Sequence, residues 1–208
     1  MRPLPQHTVT SSASLADART APRTPAVVFI TALLLTIFCL PREAPAQAPT
    51  PSQYDVQAVY LFDFAKFVRW PSGTEHETLT ICVAGAKAYT DTLTRIVAGE
   101  QIEGRPIAVR AIQNPEDVAG CNIVFIGVAA RERLDSLLAA TTGKPILTVS
   151  DVPGFLDRGG MIQFLVIANR VRFSVDLRPA ARGGISLNSE LLKVAVSVNG
   201  KPIGGGAQ

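Results

Sequence analysis

The chain has 208 residues, of which 47% are hydrophobic and 18% are charged, and these proportions are ordinary for one globular domain with a sizeable core. Its 20 Lys and Arg against 17 Asp and Glu give a net charge of +3, and the basic residues form no run or stripe. Because proteins that bind nucleic acid present a concentrated positive surface to phosphates, this pattern disfavours nucleic acid as a partner.

The first 46 residues have the pattern of an export signal. A polar stretch leads into an apolar run of 15 residues, Ala26 to Leu40. This run suits the core of a signal peptide but falls short of the roughly 20 residues that span a bilayer, and Ala44-Pro45-Ala46 supplies a small-residue cleavage site. We expect residues 1–46 to be removed and residues 47–53 to form a flexible linker. An uncleaved membrane anchor is the alternative.

Two cysteines, Cys82 and Cys121, remain after that cleavage, since Cys39 lies in the apolar run. In an oxidising compartment an even pair suggests a disulfide. Closing a loop of about 40 residues would stabilise the fold by about 4 kcal/mol in the chain-entropy model. Two buried thiols are the alternative, because free cysteine also packs as a small hydrophobic residue.

The ordered domain is expected to begin near Tyr54 with an amphipathic helix. Apolar residues recur at three- and four-residue spacing from Val56 to Val68, and Pro71 ends the helix. Leu79 to Gly85 is short, β-branched and closed by glycine, which is typical of a buried strand. A second helix follows over roughly Tyr89 to Val97.

The middle of the domain alternates strands with a helix. Gly104 to Ile112 alternates apolar and polar residues from Ile107 onward, which predicts a strand near the sheet edge. Asn122 to Gly127 and Pro145 to Ser150 are apolar and predict buried strands. Between them, Ala129 to Ala140 carries leucines on one face and charges on the other, which predicts a surface helix.

The last third contains a loop, a hairpin and a helix. Asp151 to Gly160 is punctuated by Gly and Pro and predicts the loop. Met161 to Ala168 and Val171 to Leu177 predict a hairpin through Asn169-Arg170. Ser189 to Val198 is predicted to close the domain as a helix.

The order of these elements predicts an α/β fold over residues 54–198. A central mixed, largely parallel sheet is expected, with helices on both faces and a C-terminal hairpin and helix. Residues 199–208 are expected to form a disordered tail.

Side chains that support catalysis are scarce in the exported part. Only His76 remains there among the histidines, in a polar turn, so neither a multi-histidine zinc site nor a Ser-His-Asp triad is indicated. The sequence contains no Cys-x-x-Cys, Gly-x-Gly-x-x-Gly or P-loop pattern. We therefore expect no enzyme activity, no cofactor and no metal.

Five residues are candidates for contact with a partner or ligand. Asp151 and Asp157 lie in the loop after a strand, where α/β folds tend to place ligands, although Asp151 could instead shape the turn. Phe155 in the same loop is a candidate aromatic anchor. Arg170 and Arg172 share one face of the hairpin and could contact an acidic group. The alternatives are core packing for Phe155 and solvated charges for the others.

Several segments resemble, in order, the YfiR family of periplasmic proteins. The first helix runs into Lys66-Phe-Val-Arg-Trp-Pro71, a core strand runs into Thr148-Val-Ser-Asp151, and Gly159-Gly-Met-Ile162 opens the hairpin. The resemblance covers roughly residues 54–198.

The resemblance implies a periplasmic repressor that binds an inner-membrane diguanylate cyclase and is itself sequestered by an outer-membrane lipoprotein, so that it tunes cyclic di-GMP and biofilm formation. It also implies a homodimer and a disulfide between Cys82 and Cys121. Domains of this family also occur fused to sensor kinases, so a fold alone does not fix the client. The alternative is a periplasmic module that senses a small solute and acts on another membrane receptor, such as a histidine kinase.

Overall fold

The computed structural model describes residues 52–74 and 76–203, which lie in the unit Pro49–Gln208. The leader expected over residues 1–46 lies outside the described residues, as do positions 47–51 of the linker and 204–208 of the tail. The helices described are α1 (Gln53–Phe67), α2 (Lys87–Ile96), α3 (Leu134–Thr141), α4 (Leu177–Arg182) and α5 (Ser189–Lys193). The strands described are β1 (Val68–Arg69), β2 (Leu79–Ala84), β3 (Gln101–Ile102), β4 (Arg105–Ala111), β5 (Ile123–Ile126), β6 (Leu147–Ser150), β7 (Ile162–Ile167), β8 (Arg170–Val175), β9 (Ser186–Leu187), β10 (Ser197–Val198) and β11 (Lys201–Pro202).

One mixed sheet forms the centre of the domain. Its strand order is β11-β10-β8-β7-β6-β5-β2-β4-β3, while β1 and β9 pair separately. The strands β4, β2, β5, β6 and β7 run parallel, and β8 returns antiparallel to β7 as a hairpin. The expected mixed, largely parallel sheet with a C-terminal hairpin is confirmed.

Each face of the sheet carries its own apolar cluster, because alternate residues of a strand point to opposite faces. One cluster packs under α1 and α2 and includes Phe64, Phe125 and Phe173. The other packs under α3 and includes Cys82 and Leu134. Helices therefore cover both faces, as the alternation of elements predicted.

Helix α1 begins at a capping box. The backbone N–H of Asp55 donates to Ser52 Oγ at 3.2 Å, and the backbone N–H of Ser52 donates to Asp55 Oδ2 at 2.9 Å. This cap starts the helix at Gln53, one residue before the predicted start. The chain leaves the helix at Val68, which enters the short strand β1 rather than continuing the helix to Pro71.

Helices α2 and α3, which connect strands of the central sheet, differ from their predicted bounds. Helix α2 starts at Lys87, two residues before the predicted start. The segment predicted as one helix from Ala129 begins as a 3-10 helix, Val128–Arg133, because Ala130 has a non-helical conformation (φ −111°, ψ 15°). The α-helix proper starts only at Leu134, where the buried leucines begin.

The hairpin turn lies one residue earlier than predicted. Its two central residues are Ala168 and Asn169, with φ of 48° and 59°, and Ile167 pairs with Arg170. Positive φ at both central positions is what a two-residue type I′ turn requires. Strand β8 then ends at Val175, because the side chain of Asp176 caps α4, a helix that the sequence did not predict.

The helix predicted over Ser189 to Val198 is wrong in its second half. Helix α5 ends at Lys193, and Ser197–Val198 instead forms β10, which pairs with β8 and with β11. Asn199 and Gly200 turn the chain with φ of 51° and 74°. Lys201 and Pro202 therefore add the edge strand β11 to the sheet instead of belonging to a disordered tail.

Candidate partner-binding groove

Phe155 is fully buried in the cluster under α3. Its ring lies so close to Gly160 that a Cβ at that glycine would overlap it. Phe155 is therefore a core residue in this conformation, and we do not assign it a contact with a partner.

Asp151 follows β6 directly and holds neighbouring segments together. Its Oδ1 accepts a hydrogen bond of 2.7 Å from the backbone N–H of Val128, and the side chain of Gln57 also hydrogen-bonds to it. Burial is the main cause that raises the pKa of the Asp151 carboxyl. Three buried side-chain atoms, Gln57 Oε1, Trp70 Nε1 and the Tyr89 hydroxyl oxygen, have no hydrogen-bond partner among the described residues.

Asp157 is exposed and lies in a shallow cavity of about 220 Å³ beside Asp176 and Arg178. The Arg178 guanidinium approaches the Asp176 carboxylate to 2.5 Å and, chiefly by this hydrogen bonding, lowers the pKa of Asp176. The buried Asp176 carboxylate of this cavity is thus already paired with the exposed Arg178 guanidinium. The structure does not bring Asp157 near the hairpin tip that carries Arg170 and Arg172, since different residues line the two cavities.

Arg170 and Arg172 do come together, at a groove between α1 and the β7–β8 hairpin. The groove has a volume of about 480 Å³ and is lined by Gln53, Val56, Tyr60, Val166, Asn169, Arg170, Val171 and Arg172. The two arginines were predicted from the sequence. The residues of α1 were missed, because more than a hundred positions separate them from the hairpin and periodicity reports only local structure.

The floor of this groove is apolar and firmly supported. The Tyr60 ring packs edge-on against Phe173, with centroids 5.6 Å apart, and its centroid lies 6.0 Å from that of Phe64. At the hairpin tip, Val166 and Ile167 remain 56% and 46% exposed. Val166 lines the groove, whereas Ile167 points to the opposite face of the hairpin, so the exposed aliphatic side chain beside the aromatic floor is that of Val166.

The rim of the groove is positively charged and lacks acidic partners. Arg170 and Arg172 are exposed, and neither forms an ion pair with any residue in the described ranges. The acidic residue in the first turn of α1, Asp55, is already engaged by Ser52 and lies 3.6 Å from Arg95. The two guanidiniums are therefore available to an anionic group from outside.

Strand β8 also has an open edge beside this groove. On that edge, Val196 donates to the carbonyl of Phe173 and Asn199 donates to the carbonyl of Val175, both at 2.8 Å. Since alternate residues of a strand present their backbone groups to the same edge, the N–H and C=O of Val171 face outward there as well. Within the described part of the chain, these two groups have no partner on that edge.

Other chemistry-bearing side chains form no comparable site. Among the described residues, no group of three or more His, Cys, Asp and Glu could hold a metal ion. His76 is exposed and lines a cavity of about 300 Å³ with Lys144. None of the helices in residues 52–74 and 76–203 is long and apolar enough to cross a membrane.

The predicted disulfide between Cys82 and Cys121 is confirmed, with the two Cα atoms 5.9 Å apart. It ties the middle of β2 to the segment just before β5, and both cysteines are buried. Arg110 Nη2 lies 3.5 Å and 3.3 Å from the two sulfur atoms and donates to the carbonyl of Ala119 at 2.7 Å. The bridge therefore has a structural position in the core, away from the groove.

An α/β domain with a groove of this size between α1 and the β7–β8 hairpin has a surface suited to binding. The chain belongs to the YfiR/HmsC-like family, whose model matches residues 54–196. Proteins of this family are periplasmic regulators of diguanylate cyclase signalling, and their role is regulatory rather than catalytic.

Two solved structures are distantly similar to this chain. A conserved domain protein from Vibrio cholerae O1 biovar eltor is 10% identical with a TM-score of 0.49, and the match covers 71% of this chain and 60% of that chain. An ABC domain in complex with L-Trp from Streptococcus pneumonia is 8% identical with a TM-score of 0.41, covering 58% and 55%. The chain thus spans less than two thirds of either protein, and neither likeness bears on function.

Proposed function

We propose that the protein is a periplasmic repressor that binds the periplasmic part of an inner-membrane diguanylate cyclase through the groove between α1 and the hairpin. Family membership supports the kind of client, and the unpaired Arg170 and Arg172, on the strand that borders the apolar floor, support the surface. Export by the leader over residues 1–46, a homodimer and sequestration by an outer-membrane lipoprotein are further parts of the proposal.

Repression follows from a difference in affinity. A binding protein can shift a cyclase toward its inactive state only as far as it binds that state more tightly than the active one. Moving the cyclase from almost fully active to almost fully inactive takes an affinity ratio of about ten-thousandfold. A lipoprotein that competes for the repressor removes this bias and restores synthesis of cyclic di-GMP.

The proposal is tested by deletion and complementation in the bacterium that carries the gene. Deletion should raise cellular cyclic di-GMP, and the wild-type chain should lower it again. A double variant with Arg170→Glu and Arg172→Glu should fail to lower it, since it presents carboxylates to an anionic partner. Arg172→Glu alone is compared with Arg131→Glu, which makes the same change in charge at an arginine that is 69% exposed and lies outside the groove.

Two results would overturn this proposal. Unchanged cyclic di-GMP after deletion would remove the function itself. Full complementation by the double variant would leave the function and remove the groove from it. Affinity purification of the tagged protein from membranes, with mass spectrometry, then identifies which cyclase is the client.

A second candidate function is that the protein senses a small solute and acts on another membrane receptor, such as a histidine kinase. Its support is the volume of the groove, since small-molecule sites occupy about 300–1,000 Å³. The lining favours an apolar solute with a carboxylate, which would meet Tyr60 and the two arginines. Such a solute should raise the melting temperature of the wild type but not of the Arg170→Gln and Arg172→Gln double variant.

A further inference from the structure

The open edge of β8 and the groove beside it form one continuous surface. We infer that β8 accepts an additional strand from the partner, an extended segment in which acidic and apolar residues alternate. This inference rests on the proposed function, because it states how the client would be held.

The backbone supplies the first half of the argument. Strand β10 pairs with β8 at Val175, and the neighbouring Val196 reaches Phe173, so no backbone group within residues 52–74 and 76–203 pairs with this edge from Arg170 to Arg172. Val171 presents one donor and one acceptor to that free edge. An extended peptide that adds to such an edge gains its affinity from main-chain hydrogen bonds.

The side chains of β8 determine which sequence would fit. Val171 pairs with Val166 on the face that carries the Phe164–Phe173 pair and packs toward α1. Arg170 and Arg172 occupy alternate positions and pair with Ile167 and Leu165. An added strand also alternates its side chains between the two faces, so apolar residues would enter the groove and carboxylates would meet the arginines.

A second copy of this chain fits the edge poorly. If two β8 strands paired antiparallel about Val171, Arg170 of each copy would lie opposite Arg172 of the other. Like charges directly opposite one another destabilise a strand pair. The same two arginines attract a carboxylate-bearing segment, and this difference in charge favours an acidic partner over self-pairing. A homodimer of this protein should therefore use another surface.

The peptide acetyl-Glu-Val-Glu-Val-Glu-Val-amide is the probe, and the same peptide with Lys in place of Glu is its control. With the full chain, the acidic peptide should slow hydrogen exchange of the Val171 amide and bind more weakly as salt is raised. The lysine peptide should do neither.

Substitutions at Val171 separate the backbone contact from the side chain. Val171→Pro removes the outward N–H, and an edge strand tolerates proline at such a position. We expect it to weaken binding of the acidic peptide about tenfold. Val171→Thr keeps the N–H and the β-branched shape and should bind within about twofold of the wild type. Thermal unfolding checks that both variants fold. If Val171→Pro does not fold, protection of the Val171 amide by the acidic peptide in the wild type decides whether strand addition occurs.

The outcomes distinguish this inference from the proposed function. If the cyclase binds the wild type but Val171 exchange is unchanged, strand addition is wrong and the proposed function stands. If the acidic peptide protects Val171 but no cyclase binds, the edge is a strand acceptor and the proposed client is wrong. Protection of Val171 that grows with protein concentration, without peptide, would replace the acidic partner by a second copy and overturn the inference.

Discussion

Ala168 holds a backbone conformation that glycine or asparagine usually occupies. Its φ of 48° lies in the left-handed region at the first central position of the hairpin turn. A side chain with a Cβ costs about 1–2 kcal/mol there, so Ala168→Gly should raise the free energy of unfolding by about 1 kcal/mol. Ala139→Gly, at an exposed position of α3, is the control and should lower it by about 1 kcal/mol. Urea unfolding measures the free energy of unfolding of both variants. If Ala168→Gly is less stable than the wild type, the backbone of Ala168 is not strained.

Asp151 should make stability depend on pH in the opposite sense from a paired surface carboxylate. Burial raises the pKa of Asp151 above the ordinary value, so the folded state holds its proton to higher pH than the unfolded state does. The charged carboxyl therefore lowers the free energy of unfolding as pH rises through the interval between the two pKa values.

Asp151→Asn removes this dependence. The variant keeps an oxygen that can accept from Val128, so it should match the wild type near pH 3 and exceed its melting temperature near pH 7. Asp157→Asn is the matched control for the loss of one negative charge in the same loop. A higher melting temperature for the wild type than for Asp151→Asn at about pH 7 would contradict this prediction. It would show that the hydrogen bonds to the charged carboxylate stabilise the fold by more than its burial destabilises it.

At the scale of elements, the disulfide ties β2 to the segment before β5 across 39 positions of sequence. In the chain-entropy model, a loop of this length contributes about 4 kcal/mol. A variant with Cys82→Ala and Cys121→Ala should therefore lose about 4 kcal/mol of unfolding free energy in urea. Wild type unfolded with a reducing thiol present should match the variant. A variant as stable as the oxidised wild type would show that the disulfide adds nothing to the free energy of unfolding, and that Arg110 and the packed core stabilise this region without it.

The elements predicted best are those whose burial requires a run of consecutive apolar residues in the sequence. Strands β2, β5 and β6 are almost wholly buried, so each is a continuous apolar run that sequence alone reveals. Strands β1, β3, β9, β10 and β11 have two residues each and carry no periodicity, so they could not be predicted. Their pairing depends on where tertiary packing places the chain.

The groove also depends on tertiary packing that local sequence patterns do not reveal. Alternation marked Arg170 and Arg172 as neighbours on one face of a strand. No local pattern links them to Val56 and Tyr60, which reach the hairpin only because α1 packs across the sheet. Phe155 illustrates the converse, since an aromatic residue in a Gly-rich loop has the same sequence signature whether it is buried or exposed.

At the scale of the whole molecule, we expect the charges of Arg170 and Arg172 to disfavour pairing of two copies through β8. Arg172→Glu alone would place a new carboxylate opposite Arg170 of a second copy at both ends of an antiparallel pair. Opposite charges facing each other stabilise strand pairs, so this variant should dimerise through β8 at concentrations where the wild type does not. Analytical ultracentrifugation measures the difference, and Arg131→Glu controls for the change in net charge. Equal association of all three proteins would contradict a role for this edge.

The open edge of β8 has a further consequence for the solubility of the domain. An exposed strand edge flanked by valine and isoleucine is the kind of template on which newly folded chains aggregate. Arg170 and Arg172 stand where gatekeeper residues stand in other sheet proteins, and they keep the edge soluble while leaving its hydrogen-bonding groups uncovered. The two arginines that would meet the proposed partner should thus also keep the open edge from seeding aggregation.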